Sequence, residues 1–365
     1  MKTERLSAVQ VMTMTTSSIF GIEIMISQQR MVSFVKQDAW ISMALGGIAA
    51  IGIGLVFYYL STLYSDKDLP QIFLHVGGKY IGRILLLPIV VYYIIYVGLS
   101  LRIFAQTLKM FLLDKTPIYA IVIFMLLVAA YAVYKDIYTI ANITDIIYPL
   151  SLISLIAIIL LSLQQAEISY IKPILFENTS NVVRGIIPAL NNFTGFGIIG
   201  YIFCHTQKSK ETLKWYLVGL VTPVVLYTAL TAITIMVFGT KDVETLIYAI
   251  LTLTKSIEFP ATSLERLESF TAVIWIVVVF ISVVLFFYKS TRSLTVFLGL
   301  KEKHMKYMVW VHIPLLAFIA LCIENELKAI EYVQTTLYLQ LIISLVIIPV
   351  ITAVAILKRR RELKK

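Results

Sequence analysis

The sequence is poor in the residues that build catalytic and metal centres. Only two cysteines occur, Cys204 and Cys322, far apart and both in apolar segments, so no redox pair or metal-ligand spacing can be read from them. The four histidines, His75, His205, His304 and His312, share no zinc-type spacing. There is no Walker loop, no G-x-S-x-G elbow and no H-E-x-x-H, which leaves nothing pointing to hydrolysis of ATP or of any other bond. Charge is scarce as well, at 14% of 365 residues. What fills the chain is apolar: 59% hydrophobic residues and a mean hydropathy of +0.88, more than one water-soluble core can hide.

A bilayer-spanning helix needs about 20 mainly apolar residues. Such blocks recur from end to end and leave no soluble domain over. Reading them against their charged breaks predicts about ten spans, centred roughly on residues 20, 51, 97, 126, 154, 195, 226, 281, 314 and 346. The opening "MKTERLSAVQVMTMTTSS" lacks a continuous apolar region closed by a small-residue cleavage site, so it reads as the start of a retained first span.

Ten spans put both ends on one side. Assigning the ends and alternate loops to the cytoplasm gathers about 20 of the 31 Lys and Arg there and about nine outside, as the positive-inside rule requires. Arg102 and Lys109 lie within the third span. The cytoplasmic set includes "KDLPQIFLHVGGKYIGR", "HTQKSKETLKW", "GLKEKHMKY" and the tail "KRRRELKK" at 358–365. Acidic residues collect in the opposite loops, as in "KDVETL" and "ENELKAIE". The net charge of +10 therefore belongs to span ends that snorkel to anionic headgroups, and no nucleic-acid role is read from it.

Two polar, glycine-marked patches interrupt this pattern: "TMTTSSIFGIEIMISQQ" at 13–29 and "NNFTGFGIIGYIFCH" at 191–205. Each opens a run of five spans, roughly 7–164 and 185–357. An odd number per half makes the second half insert upside down, which is an inverted repeat. The expectation is one all-α polytopic membrane domain over 1–365, five plus five, with the first and sixth helices broken near mid-membrane. Freed backbone groups and helix-half ends would coordinate a small ligand there. Small residues also serve close helix packing, but two patches in equivalent positions favour breaks. Glu23 in mid-span is costly and functional by default, with a pairing to Arg102 or a wet cavity as the structural alternative.

An ordered set of short motifs runs nearly the length of the chain: "QDAW" at 37–40, "LRIF" at 101–104, "AAYAVYKDI" at 129–137, "PALNNFTGFG" at 188–197, "VFGTK" at 237–241, "LERLESF" at 264–270 and Gly-Leu-Lys at 299–301. In order and spacing the chain resembles the B subunit of nutrient-germinant receptors of endospore-forming bacteria, the spore-germination permease family of the amino acid, polyamine and organocation superfamily. The resemblance implies a ten-helix, non-enzymatic sensor of small nutrients such as amino acids, with no cofactor and no metal. It would sit in the inner membrane of the dormant spore, both ends on the core side, beside a membrane-embedded A subunit and a lipoprotein C subunit. An active amino-acid permease coupled to a cation gradient is the alternative reading of the same pocket.

Carried over residue by residue, the implied pocket holds Ser17, Ser18, Gly21 and Glu23 from the first span and Asn192, Phe193, Thr194, Gly195 and Gly197 from the sixth. Tyr93, Tyr96 and Ser100 of the third span share one helix face and join them, although tyrosines of this kind also serve packing and interfaces. Glu265, Arg266 and Glu268 read as a gate or subunit contact, or equally as a solvated helix start. Three positions, in two places, depart from the family pattern. Glu23 stands for a glycine, with Gln28 at the usual proline, and Gly197 stands for a glutamate. A carboxylate missing from one broken helix thus reappears on the other.

Overall fold

A computed structural model describes residues 5–175, 179–207, 209–256 and 267–362, with side chains in the last stretch from residue 274. Among the described residues the chain is helical and holds no strand. An isolated parallel bridge clips Leu6 to Thr206.

The helices are α1 (Ala8–Ile19), α2 (Glu23–Val35), α3 (Ala39–Leu63), α4 (Leu69–Phe111), α5 (Ile118–Lys135), α6 (Ile137–Ser162), α7 (Thr179–Leu190), α8 (Ile199–Ile202), α9 (Glu211–Val243), α10 (Ala249–Ser256), α11 (Leu267–Phe297), α12 (Met305–Cys322), α13 (Glu326–Ile342) and α14 (Ile348–Glu362). Nine helical stretches among the described residues are long and apolar enough to cross a membrane. The first of them, Glu23–Leu63, bends at Lys36, whose φ is 61°. Divided there, it yields α3 as one crossing, and α2 joins α1 to make another. Ten crossings result, because α1 has only 12 residues, about 18 Å of helix, and cannot span alone.

The packing repeats when the two halves are exchanged. α1 lies on α9, and α7 with its continuation lies on α3, so the first helix of each half meets the second of the other. α4 meets α11, α5 meets α12, and α4 against α13 is matched by α11 against α6. That exchange is the five-plus-five inverted repeat, with the first and sixth helices innermost.

Segments assigned to the cytoplasm on charge meet at one end. Asp68 caps α4 through a capping box with Gln71 and is paired with Arg292 of α11. Lys358 donates to the His75 carbonyl at 2.5 Å, and Arg359 to that of Thr62 at 3.3 Å. The opposite end is held by Lys36 on Glu244 (2.7 Å) and by the Asp38 carboxylate accepting from the Leu175 N–H (3.1 Å). α10 packs on α2, α9 and α11 at that end.

Candidate functional site

The first break begins at Phe20, whose φ of −72° and ψ of 73° let the Gly21 N–H reach back to the Ile19 carbonyl at 2.8 Å. This is an inverse γ-turn, and it stops the α-helical ladder. The carbonyls it frees find side chains: Ile19 O accepts from Tyr227 at 3.0 Å and Ser18 O from Ser282 at 3.5 Å. α2 then restarts at Glu23, which places a carboxylate in the first turn at the positive end of a half-helix.

The second break is tighter winding, not a gap. Residues Asn191–Ile198 form a 3-10 segment after Pro188, which replaces i→i−4 bonds and leaves carbonyls such as Phe196 O to accept from Tyr216 at 2.8 Å. The two breaks touch through glycine. A Cβ on Gly195 would stand 2.3 Å from the Ser18 carbonyl carbon and oxygen and 2.4 Å from the Ile19 nitrogen. Only a residue without a side chain permits that approach.

A cage of ionisable and aromatic side chains forms beside this contact. Tyr96 of α4 donates to Glu23 Oε1 at 2.5 Å. Lys289 of α11 is fully buried and donates to Ser18 Oγ at 3.3 Å, with its ammonium 3.2 Å from the Phe286 ring centroid and 5.1 Å from that of Tyr93. Such cation–π contacts substitute for part of the lost hydration. The carboxylate lies at the N-terminus of α2 and the ammonium near the C-terminus of α1, each at the half-helix end whose dipole favours it. Tyr96 and Phe286 meet at a tilt with 4.4 Å between centroids, and Tyr93 meets Tyr201 edge-on at 6.0 Å. An acid and an amine, both buried and held in one aromatic cage, can bind the two ends of a small zwitterion.

Of the residues read from sequence, Ser18, Gly21, Glu23, Tyr93, Tyr96 and Gly195 come together here, and Thr194 lies next to the Tyr92 hydroxyl. Gly21 is part of the cage wall: a Cβ on it would fall 2.8 Å from Glu23 Oε2. Ser17 and Ser100 are buried on α1 and α4 without joining the cage, and the Ser100 hydroxyl has no partner. Phe193 packs edge-on against Tyr227 at 5.4 Å. Asn192 turns away from the cage and accepts from Arg30 at 2.7 Å. Gly197 abuts the Phe57 ring of α3, 3.2 Å from a built Cβ, so a glutamate there would need Phe57 to move. Glu23 has no pairing with Arg102, whose guanidinium instead donates to the Glu324 carbonyl at 3.1 Å. Glu265 and Arg266 and the Glu268 side chain lie outside the described residues.

Lys289, Ser282, Phe286 and Tyr227 are members of the site that sequence reasoning missed. The available signal was Lys289 itself, an ionisable residue in "VVLFFYKSTRS", which reads as a snorkelling lysine near a span end until its direction is known.

Ten crossings in an inverted repeat, with a polar site where the first and sixth helices break, define a membrane protein of transporter architecture. The solved structure of Mhp1, a nucleobase-cation-symport-1 family transporter in a closed conformation with bromovinylhydantoin bound, superposes with a TM-score of 0.69 over 93% of this chain and 75% of that one at 12% identity, a likeness of fold alone. Residues 5–330 match the model of the family described as spore germination protein, and the chain belongs to that family. Among its relatives in Bacillus subtilis (strain 168), spore germination protein YndE is 30% identical over 79% of each chain, and spore germination protein B2 is 26% identical over 91% of this chain and 90% of its own. Spore germination protein GerQB of Bacillus cereus is 25% identical over 78% of each.

Proposed function

We propose that this chain is the transporter-like membrane subunit of a spore nutrient-germinant receptor, binding a small nutrient, with an amino acid as first choice, between the two broken helices. The observation that carries this reading is the pairing of the Glu23 carboxylate with Tyr96 at 2.5 Å and the Lys289 ammonium with Ser18 at 3.3 Å in one buried cage. The nutrient's ammonium takes the place of a proton or cation at Glu23, and its carboxylate draws Lys289 from Ser18. Both changes act on the contact between Ser18 and Gly195, so the ligand alters how the half-helices pack. A ligand that binds the repacked arrangement better than the resting one shifts the population toward it. The change passes to a membrane-embedded A subunit and a lipoprotein C subunit in the inner spore membrane, with both ends of this chain on the core side, and ion release follows.

The test is nutrient-triggered release of dipicolinic acid from spores with and without this gene, over a panel of amino acids, sugars and nucleosides. Loss of the response to one nutrient or mixture, with uptake in growing cells unchanged, supports the receptor. The fold shared with a cation symporter favours a second reading, an amino-acid permease coupled to a cation gradient. An unchanged response with reduced, saturable, gradient-driven uptake identifies that instead.

A further inference from the structure

Arg30 lies inside a membrane-spanning stretch yet forms no ion pair within 4.0 Å among the described residues. Its Nη2 donates to Asn192 Oδ1 at 2.7 Å and to the Pro188 carbonyl at 3.4 Å, while its buried Nε has no partner. A guanidinium with no carboxylate in contact at such a place is costly, and such residues mark ligand paths or sites. Beside it opens a cavity of about 430 Å³ between α2, α7 and α13, lined by Arg30, Arg184, Asn191, Gln334, Tyr338 and Pro188 among others, with no acidic residue on its wall. Asn191 is only 6% exposed, and its Oδ1, an acceptor without a partner, can take a ligand hydroxyl such as the P–OH of hydrogen phosphate. Two guanidiniums, two amides and a phenol thus face a space of the size small-molecule sites occupy.

We infer that this cavity is a second site, separate from the broken-helix cage, and that it takes an oxyanion group, a carboxylate or a phosphate, held by Arg30 and Arg184. The group comes either from a small soluble acid or from an anionic lipid headgroup, since the exposed apolar residues Phe34 and Ile187 flank the opening. The site bears on the sixth helix. Arg30 anchors Asn192 and Pro188, the residues at the start of the 3-10 segment, so an anion that draws the guanidinium into the cavity loosens the second break. Occupancy of the cavity therefore modulates the cage whatever nutrient the cage binds.

The experiment uses the purified full chain in nanodiscs and follows thermal unfolding at matched ionic strength. In neutral phosphatidylcholine discs, inorganic phosphate and succinate are titrated against chloride. In a second arm, phosphatidylglycerol replaces part of the neutral lipid. Saturable stabilisation by phosphate or succinate assigns a soluble ligand, and stabilisation only by phosphatidylglycerol assigns a headgroup. In either arm Arg184→Gln, an exposed position whose loss leaves the fold intact, weakens the effect about tenfold, as expected for one charge-assisted contact, and Arg30→Gln abolishes it. Stabilisation in neither arm, or stabilisation indifferent to both substitutions, overturns the proposal.

Discussion

Gly195 rests directly on the Ser18 carbonyl, so closely that a single methyl group there would overlap it. The contact joins the two broken helices backbone to backbone, and the polar cage is built around it. Gly195→Ala must part the half-helices. Overpacking of this kind costs about 1–3 kcal/mol, and under the proposed function nutrient-triggered germination should fail although the protein is inserted. Gly52→Ala is the control, because a Cβ on Gly52 meets nothing within 4 Å. A thermal shift assay on both variants checks the difference; equal, small effects would remove the steric account.

Tyr96 and Glu23 form the shortest polar contact in the cage. Removing the hydroxyl in Tyr96→Phe leaves a buried carboxylate with one donor fewer, at a cost of about 1–3 kcal/mol. The expected result is a nutrient concentration requirement raised by about tenfold or more, with Glu23→Gln giving a comparable loss. A germination dose response unchanged in both variants would separate the pair from ligand binding.

Lys289 offers a sharper discrimination between structure and function. A buried ammonium without a carboxylate in contact is expensive, and a long apolar side chain of similar shape avoids that cost. Lys289→Met is therefore expected to keep or raise thermal stability while abolishing the nutrient response. A variant that is both unstable and unresponsive would make Lys289 a structural residue.

Asp68 and Arg292 are expected to behave in the opposite way. The pair is buried, 1% and 6% exposed at the side chains, and it joins the start of α4 to the end of α11. Asp68→Asn preserves a good helix cap and removes only the charge. Losing one partner of a buried pair costs about 3–5 kcal/mol, so this variant and Arg292→Gln should each lower the unfolding temperature strongly. The double variant should cost less than the sum of the two, measured as a double-mutant cycle.

Several elements of this fold were legible before any coordinates. Hydropathy located α3, α5, α9 and α12 close to their centres, and the glycine and hydroxyl residues at 13–29 and 191–205 marked both interrupted helices. The i, i+3 spacing of Tyr93 and Tyr96 put them on one face, and both reach the cage. The family resemblance grouped Asn192 with Thr194 and Gly195, whereas the 3-10 winding rotates Asn192 toward Arg30. Local periodicity assumes 3.6 residues per turn, and a segment wound at about three sends successive side chains to different neighbours.

Composition and periodicity by themselves determined that this protein lives in a bilayer, how often it crosses, where its two central helices weaken and that a carboxylate lies in mid-span. Those properties follow from the free energy of placing apolar and polar groups in lipid, which is local to each segment. Only the tertiary structure decided that Lys289 points inward to Ser18, that Gly195 presses on Ser18 and that Arg30 lies beside an open cavity with no carboxylate in contact among the described residues. Those outcomes depend on the rotation of each helix about its own axis. That rotation is set by how side chains from distant segments interlock, and no single stretch of sequence encodes it.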